Sequence, residues 1–220
     1  SEKKNIRDKY NIKSDDYVLT NIGAMTQNKG VEDLVAAYGI LKKKNKNLKL
    51  ILKDQSNLYD RNANSPIKNM QSSKFNQKYQ IFNEQMYNDI IIISKNLNFD
   101  ELRNIYSITD CYVSPYKAEG FNLTPLEAAA CGTQIVVTDG GPTDDYFDDC
   151  MGFKIESKEK SLNDNIYLGP KINSLIEIID SIINKTDNKK NLRSKYVHKN
   201  FSWENIVKKL KKEFENKLSK

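Results

Sequence analysis

Short apolar runs recur along the chain and alternate with longer stretches in which apolar residues lie three or four positions apart. Such runs predict strands. One of them, at residues 90–93, consists of four isoleucines, as expected for a parallel strand covered on both faces. The predicted strands are residues 17–23, 48–53, 89–94, 110–115 and 133–139, with a shorter sixth at 152–155.

The stretches between these runs have helical spacing. In residues 29–44 the apolar positions are Val31, Leu34, Val35, Tyr38 and Leu41. Asn98 can cap the next helix, with Glu101 reaching back from its third position. Beyond residue 171 the pattern is helical, and Ser202 is placed to cap the last helix.

Two segments have a weaker pattern. The chain opens with a polar lead-in before the first strand. Residues 54–78 are rich in asparagine and lysine, and we expect a loop there, with a weak helix around residues 66–85. We interpret this region as a loop within a domain rather than as a domain boundary.

Alternating strands and helices predict an α/β fold with a doubly wound, mostly parallel, Rossmann-like sheet and extra C-terminal helices. A chain of 220 residues can form one such domain with a buried core. We expect a single domain over residues 1–220, with its core at about 17–184 and the extra helices at 185–220.

Composition narrows the class of protein. Charged residues make up 29% and hydrophobic residues 38%, which is typical of a soluble globular protein. No run approaches the roughly 18 apolar residues of a membrane helix, and no signal-peptide pattern opens the chain. The three cysteines, Cys111, Cys131 and Cys150, are odd in number and widely spaced, which favours a reducing, cytoplasmic location without structural zinc. A single histidine, His198, argues against a metal cluster or a Ser-His-Asp triad.

The net charge of +6 is concentrated at one end of the chain. Residues 185–220 contain 12 basic and 4 acidic side chains, whereas residues 1–184 contain 23 basic and 25 acidic ones. This surplus belongs to terminal helices and predicts a solvated helix face rather than a nucleic-acid groove. A weak contact of these lysines with a membrane surface or a polyanion is the alternative.

Ligands of open parallel sheets bind at the carboxyl ends of the strands, beside helix N-termini. The sequence places Lys29, Lys53 and Lys95 after the first three strands, and Glu119 and Glu127 after the fourth. A glycine turn follows the fifth strand. We therefore expect these side chains to converge on one rim of the sheet.

Lys29 and Lys53 each have a structural and a functional interpretation. Lys29 begins a helix, where the helix dipole disfavours a cation, so it is either an exposed surface residue or a ligand of a diphosphate. Lys53 ends a buried strand, where an unpaired ammonium is costly. A phosphate or a salt bridge to Asp54 would each account for it.

Glu119 and Glu127 differ in whether a structural role can explain them. Thr124 and Glu127 match a capping box with proline at the first helical position, which gives Glu127 a structural interpretation. Glu119 has none, and it precedes Gly120, which lets a ligand approach backbone amides. Because a carboxylate can chelate a vicinal diol, the stretch suits a sugar joined to a phosphate.

Five segments in order resemble retaining glycosyltransferases of family 4, which have the GT-B fold. They are "NIGAMTQNKG", "TDCYVSPYKAEGF", "EGFNLTPLE", "CGTQIVVTDGGPTDDYFDD" and "KYVHKNFSWENIVKKL", and the resemblance as a whole extends over roughly residues 17–218. The similarity is greatest to the subgroup with "SPYRAEGFN", which reads "SPYKAEGFN" here. The resemblance implies that the chain corresponds to the C-terminal, donor-binding domain of that fold.

The resemblance implies a nucleotide diphosphate sugar as donor, with no cofactor and no metal, and transfer of a hexose with retention. It implies that Lys29 holds the diphosphate, Glu119 the transferred sugar and Glu127 the ribose. The remaining implied substrate-binding residues are Gly23, Lys53, Lys95, Asn96, Leu97, Gly120, Phe121, Asn122, Leu123 and Thr124. Lys95, Asn96 and Leu97 would lie against the nucleobase.

Two departures from the family qualify this expectation. The family usually has arginine where this chain has Ala24, so Lys53 or Lys117 would have to supply the second cation. The resemblance covers only the C-terminal domain of the GT-B fold, so we expect the acceptor-binding N-terminal domain to belong to a longer enzyme of which this chain is a piece, or to be supplied by a partner. We therefore expect this chain alone to bind a donor sugar but to transfer little, while a sugar, glycan or protein acceptor binds through the other domain.

Other classes of function fit less well. A non-catalytic module that binds a nucleotide or a sugar is the main alternative, and the missing arginine favours it slightly. A dinucleotide-dependent oxidoreductase is disfavoured because no G-x-G-x-x-G follows the first strand. Asp144 and Asp145 are more consistent with a helix cap than with a metal-binding D-x-D pair.

Overall fold

A computed structural model describes residues 2–59, 61–162, 165–183 and 185–218. A six-stranded sheet has the order β3-β2-β1-β4-β5-β6, and every pairing in it is parallel. The strands are β1 (Tyr17–Ile22), β2 (Leu48–Lys53), β3 (Ile90–Ile93), β4 (Cys111–Ser114), β5 (Gln134–Thr138) and β6 (Gly152–Ile155). The α/β, Rossmann-like class and all six predicted strands are confirmed.

The helices between the strands cover both faces of the sheet. Those before β5 are α1 (Glu2–Lys9), α2 (Val31–Lys44), α3 (Ser56–Tyr59), α4 (Asn64–Gln71), α5 (Lys74–Tyr79), α6 (Glu84–Asn88), α7 (Phe99–Ile108) and α8 (Leu123–Ala130). Those after β6 are α9 (Ile172–Ile182), α10 (Lys190–Phe201) and α11 (Trp203–Leu218), so the extra C-terminal helices are confirmed.

The core consists of two apolar layers, one on each face of the sheet. Along β2, Leu50 and Leu52 belong to the layer with α2, α4 and α9, whereas Ile51 belongs to the layer with α7, α8 and α10. This alternation follows from the two-residue period of a strand. Because both faces are covered, the continuous apolar pattern of the strands is explained.

Two helix caps that the sequence predicts are present in the structure. Asn98 accepts a hydrogen bond from the Glu101 amide, and the Glu101 carboxylate accepts one from the Asn98 amide, which completes the capping box of α7. The Ser202 hydroxyl accepts a hydrogen bond from the Asn205 amide at 3.4 Å in the first turn of α11.

Three expectations are corrected. The polar lead-in contains α1, which the buried Arg7 anchors by donating to the carbonyls of Lys13 and Asp16. Residues 66–85 form parts of several short helices rather than one weak helix. Asp144 and Asp145 lie inside a 3₁₀ helix, Pro142–Asp145, and cap no helix.

A hairpin that the sequence did not indicate follows β6. It consists of β7 (Ser157–Leu162) and β8 (Asn165–Pro170), which pair antiparallel. The Leu168 amide donates to the Lys117 carbonyl at 2.7 Å, so the hairpin is tied to the loop after β4. Its first strand is dominated by lysine, glutamate and serine, and a strand pattern is therefore hard to detect there.

The last helix is amphipathic and has no buried residue. Its large apolar side chains are exposed along one face: Trp203, Ile206, Val207, Leu210, Phe214 and Leu218. Among the residues that the structure describes, no helix is both long enough and apolar enough to cross a membrane.

Candidate functional site

The strand order reverses between β1 and β4, and this position is where open α/β sheets bind ligands. The loops that leave these two strands are joined by their backbones. The Asn28 carbonyl accepts hydrogen bonds from the amides of Lys117 at 2.6 Å and Ala118 at 3.3 Å. The Asn28 side chain in turn donates to the Ala118 carbonyl at 3.0 Å.

Gly30 makes this close approach possible. It adopts φ +65°, and a Cβ built on it would lie 1.9 Å from the carbonyl oxygen of Pro115. Only glycine fits a position that has both a left-handed conformation and no space for a side chain. The glycine thus brings the 3₁₀ turn Gln27–Lys29 against the loop after β4.

Lys29 and Glu119 form an ion pair across this junction. Glu119 is 9% exposed in its side chain and Lys29 is 26% exposed, so the pair is partly withdrawn from water. The prediction that the two residues meet at one rim is confirmed, and the interpretation of Lys29 as a free surface lysine is wrong. Gly23 lies beside Lys29, with its hypothetical Cβ 4.0 Å from Lys29 Cε.

The turn that leads into α8 presents backbone donors. In the part of the chain that the structure describes, the amides of Gly120, Phe121 and Asn122 have no hydrogen-bond acceptor. Asn122 is the N-terminal flanking residue of α8 at φ +63°, and its carbonyl accepts a bond from the Tyr146 hydroxyl at 2.7 Å. A helix start with free amides suits an anion or an oxygen-rich ligand.

The predicted capping box at Thr124 and Glu127 is wrong. The helix begins at Leu123, one residue before Thr124, and no side chain caps it. The Thr124 hydroxyl bonds the Tyr112 hydroxyl at 2.7 Å instead. Tyr112 also donates to the Ile22 carbonyl at 3.0 Å, and therefore links the end of β1 to the start of α8.

Glu127 is held by another tyrosine. The Tyr106 hydroxyl donates to Glu127 Oε2 at 2.8 Å. The structural interpretation of Glu127 as a cap residue therefore does not hold, and its carboxylate lies on the first turns of α8.

Tyrosines fix the neighbouring loop as well. The Tyr116 hydroxyl contacts the carbonyls of Thr138 and Gly140 and the hydroxyl of Thr143. Sequence reasoning missed these tyrosines, because nothing in a motif distinguishes a tyrosine that supports a loop from one that fills the core.

Phe121 and Leu123 project outward from the same turn and are exposed. The Phe121 ring packs on Tyr146 with centroids 5.3 Å apart. The turn therefore offers apolar surface beside its free amides.

Lys53 forms no salt bridge with the Asp54 carboxylate among the described residues, so that one of its two interpretations is wrong. It is buried, and its ammonium donates to the backbone carbonyl of Asp54. Burial lowers the pKa of Lys53, and the nearby Asp54 opposes that shift. The Asp54 carboxylate is occupied by the Ala63 amide at 2.9 Å and the Ser94 hydroxyl at 2.7 Å.

The loop after β3 carries the residues expected near a nucleobase. Lys95 is exposed and paired with Glu101. The Asn96 side chain accepts a hydrogen bond from Asn57 at 3.2 Å, and Leu97 packs partly against the core. No contact joins these residues to Lys29 or Glu119 among the described interactions.

Ala24 stands where the resemblance to family 4 leads us to expect an arginine. Ala24 is buried. Lys117, from the loop after β4, pairs with Asp33 at 3.2 Å in the first turn of α2. Burial raises the pKa of Asp33, and Lys117 opposes that shift. Lys117 is thus a cation close to the β1–β4 junction, and it already has Asp33 as an acidic partner.

A large cavity lies at the opposite edge of the sheet. It has a volume of about 670 Å³, and its wall includes Tyr17, Gln134 and Gly152 at the amino ends of their strands. Its charged lining mixes lysines and aspartates, which indicates no single class of ligand. The convergence of loops, and not cavity size, therefore defines the candidate site. No group of residues that could hold a metal ion occurs in the described ranges.

The family model described as "Glycosyl transferases group 1" matches residues 2–199. No curated protein matches the chain. Sucrose-phosphate synthase from Thermosynechococcus elongatus has a similar structure, with TM-score 0.70 and 20% identity over 98% of this chain and 49% of that chain.

Two further solved structures are similar. The C-terminal domain of a glycosyl transferase group 1 family protein (LpcC) from Francisella tularensis matches with TM-score 0.66 and 19% identity, over 92% of this chain and 94% of that one. Anabaena HepE in complex with UDP-glucose matches with TM-score 0.70 and 15% identity, over 98% and 52%. The chain therefore spans about half the length of the synthase and of HepE, and nearly all of the isolated domain.

Proposed function

The chain belongs to the glycosyl transferases group 1 family, and from that premise we propose that it binds the nucleotide diphosphate sugar donor of a glycosyl transfer reaction. The observation that carries the proposal is the ion pair of Lys29 and Glu119 across the β1–β4 junction, beside three free amides. The complex of the structurally similar HepE with UDP-glucose supports the same class of donor.

In this proposal the diphosphate lies between Lys29 and the start of α8. An ammonium has three donor hydrogens, so Lys29 can bond a phosphate oxygen while it keeps Glu119 as a partner. The amides of Gly120, Phe121 and Asn122 add hydrogen bonds to the same charge. Cations and oriented amides stabilise negative charge that develops on a leaving diphosphate, which lowers the barrier to sugar transfer.

The two carboxylates take the hydroxyl groups of the donor. Glu119, fixed by Lys29, binds the transferred sugar, and Glu127 binds the ribose. The resemblance to family 4 assigns Lys95, Asn96 and Leu97 to the nucleobase, and Gly23, Leu123 and Thr124 to the edges of the donor. Lys117 supplies the second cation in place of the arginine missing at Ala24, because Lys53 is turned towards a backbone carbonyl.

The finer chemistry is also part of the proposal. Family 4 membership would imply a hexose donor, retention of configuration and no requirement for a metal ion. Residues 1–220 would act as one donor-binding unit, with the acceptor bound by a second unit. The three unpaired thiols fit a cytoplasmic location.

A panel of UDP-, GDP-, ADP- and TDP-sugars tests this proposal by thermal shift, because a ligand that binds only the folded state raises the melting temperature. We expect one nucleotide to stabilise the chain, and Lys29→Met to remove most of that effect. Lys158→Met, on the hairpin, is a control of the same charge change. Absence of stabilisation by the whole panel would contradict donor binding.

The second candidate function is a module that binds a donor without catalysis, and the buried alanine at position 24 favours it. Transfer activity separates the two. In a protein that carries both units of the fold, Glu119→Ala combined with Glu127→Ala should abolish transfer. Full transfer by that double variant would refute the roles proposed for the two carboxylates. Absence of transfer by the unsubstituted two-unit protein, with donor binding retained, would favour the non-catalytic module.

A further inference from the structure

Tyr106 lies beneath the candidate site, on a helix that none of the family-like segments includes. It belongs to α7 and is 2% exposed. Its ring meets the edge of Tyr112 with centroids 6.0 Å apart, and its carbonyl accepts a bond from the Thr133 hydroxyl at 2.9 Å. These contacts hold both the ring and the backbone of Tyr106 in place.

The hydroxyl of Tyr106 is directed at one oxygen of the Glu127 carboxylate. The O–O distance to Oε2 is 2.8 Å. Burial raises the pKa of Tyr106, and Glu127 adds to that effect, so the phenol keeps its proton and acts as a donor. Within the described part of the chain, Glu127 Oε1 has no donor.

A carboxylate on a flexible side chain samples several rotamers, and a ligand that uses it must select one of them. A fixed donor on Oε2 removes that cost before the ligand binds. It also leaves Oε1 and the remaining lone pairs of Oε2 for hydroxyl groups of a ligand.

We propose that Tyr106 is a positioning residue for binding of the nucleotide ribose, and that it acts by fixing the Glu127 carboxylate in the orientation that accepts the ribose hydroxyls. This inference rests on the proposed function of Glu127. Tyr106 would not touch the nucleotide, but it would set how tightly the site binds the ribose.

The competing explanation is that the hydrogen bond only fastens α7 to α8. A structural role of that kind would change stability, and it would change the affinity for all ligands of the site alike. A positioning role predicts that the effect depends on the ribose hydroxyls, so the two explanations differ in a binding measurement.

The test uses Tyr106→Phe, which removes only the hydroxyl. Wild type and variant are titrated with UDP and with 2′,3′-dideoxy-UDP by calorimetry, followed by the GDP and ADP pairs if UDP does not bind. We expect the dissociation constant for UDP to rise about tenfold. We expect the dideoxy nucleotide to bind wild type and variant equally.

Tyr38→Phe is the matched control, since Tyr38 is buried in α2, and its hydroxyl contacts only the Leu48 carbonyl among the described residues. It should leave both dissociation constants unchanged. In a Glu127→Ala background, Tyr106→Phe should cause no further loss of UDP affinity.

The outcomes distinguish donor binding by the chain from the positioning role of Tyr106. If wild type binds none of the three ribonucleotides, this inference fails, and the proposed function fails with it if the TDP-sugar of the panel does not bind either. If wild type binds UDP but Tyr106→Phe changes neither ligand, or weakens both equally, the positioning role is wrong while donor binding stands. A further loss in the Glu127→Ala background would likewise show that Tyr106 does not act through Glu127.

Discussion

Replacing Gly30 by alanine should disrupt the junction of the β1 and β4 loops. The added methyl group would lie 1.9 Å from the Pro115 oxygen and 2.8 Å from its carbonyl carbon, so the backbone must move. The left-handed conformation at φ +65° costs a residue with a side chain about 1–2 kcal/mol. Overpacking adds about 1–3 kcal/mol. We therefore expect a loss of about 2–5 kcal/mol.

A loss of this size is a large part of the stability of a typical domain, about 5–15 kcal/mol. Urea unfolding followed by circular dichroism measures it, provided that the slope of the transition is unchanged.

Gly120→Ala is the matched control for this measurement. Nothing lies within 4 Å of the Cβ position of Gly120, and its φ is not positive. That variant should change stability by no more than about 0.5 kcal/mol. A Gly30→Ala protein as stable as Gly120→Ala would refute the conclusion that this glycine is required for loop contact.

Two further predictions concern charges outside the site. Burial alone would raise the pKa of Asp89, but hydrogen bonds from Lys42 and Lys49 outweigh it and lower the pKa. Asp89→Asn should therefore lower the free energy of unfolding by about 3 kcal/mol at pH 7. This difference in stability from wild type should shrink as the pH falls below about 4. A stability difference that does not depend on pH would contradict this prediction. Arg193 is fully buried and bonds the Gly132 carbonyl and both oxygens of Asp187. Arg193→Met should cost about 3–5 kcal/mol in urea unfolding, and a cost below about 1 kcal/mol would show that these bonds contribute little.

The sheet was predictable because its signal is local and repeated. Each buried strand carries its own apolar run, and the order of strands and helices determines which loops reach the same edge. That topology predicts that Lys29 and Glu119 lie at the same edge of the sheet. Asn28 and Gly30 lie in one of the family-like segments, but nothing in the sequence indicates that they bring the two loops into contact.

The failures of the sequence analysis arise from tertiary contacts. Thr124 and Glu127 have the spacing of a capping box, but tyrosines from β4 and α7 occupy their oxygens. Asn122, at positive φ, precedes the helix, which therefore starts at Leu123 and not at the predicted Pro125. Lys53 has a backbone acceptor that only the folded chain supplies. The two tyrosine partners lie 21 and 12 positions away in sequence, so no motif contains them. The acceptor of Lys53 belongs to the next residue, but only the folded backbone orients that carbonyl towards the ammonium.

The central claim is that a nucleoside diphosphate binds at the junction of β1 and β4. Titration of the ¹⁵N-labelled chain with UDP-glucose, observed by amide chemical shifts, tests it directly. The amides of Lys29, Gly120 and Phe121 should shift most and saturate together. Shifts confined to Tyr17, Gln134 and the rest of the opposite cavity would contradict the account.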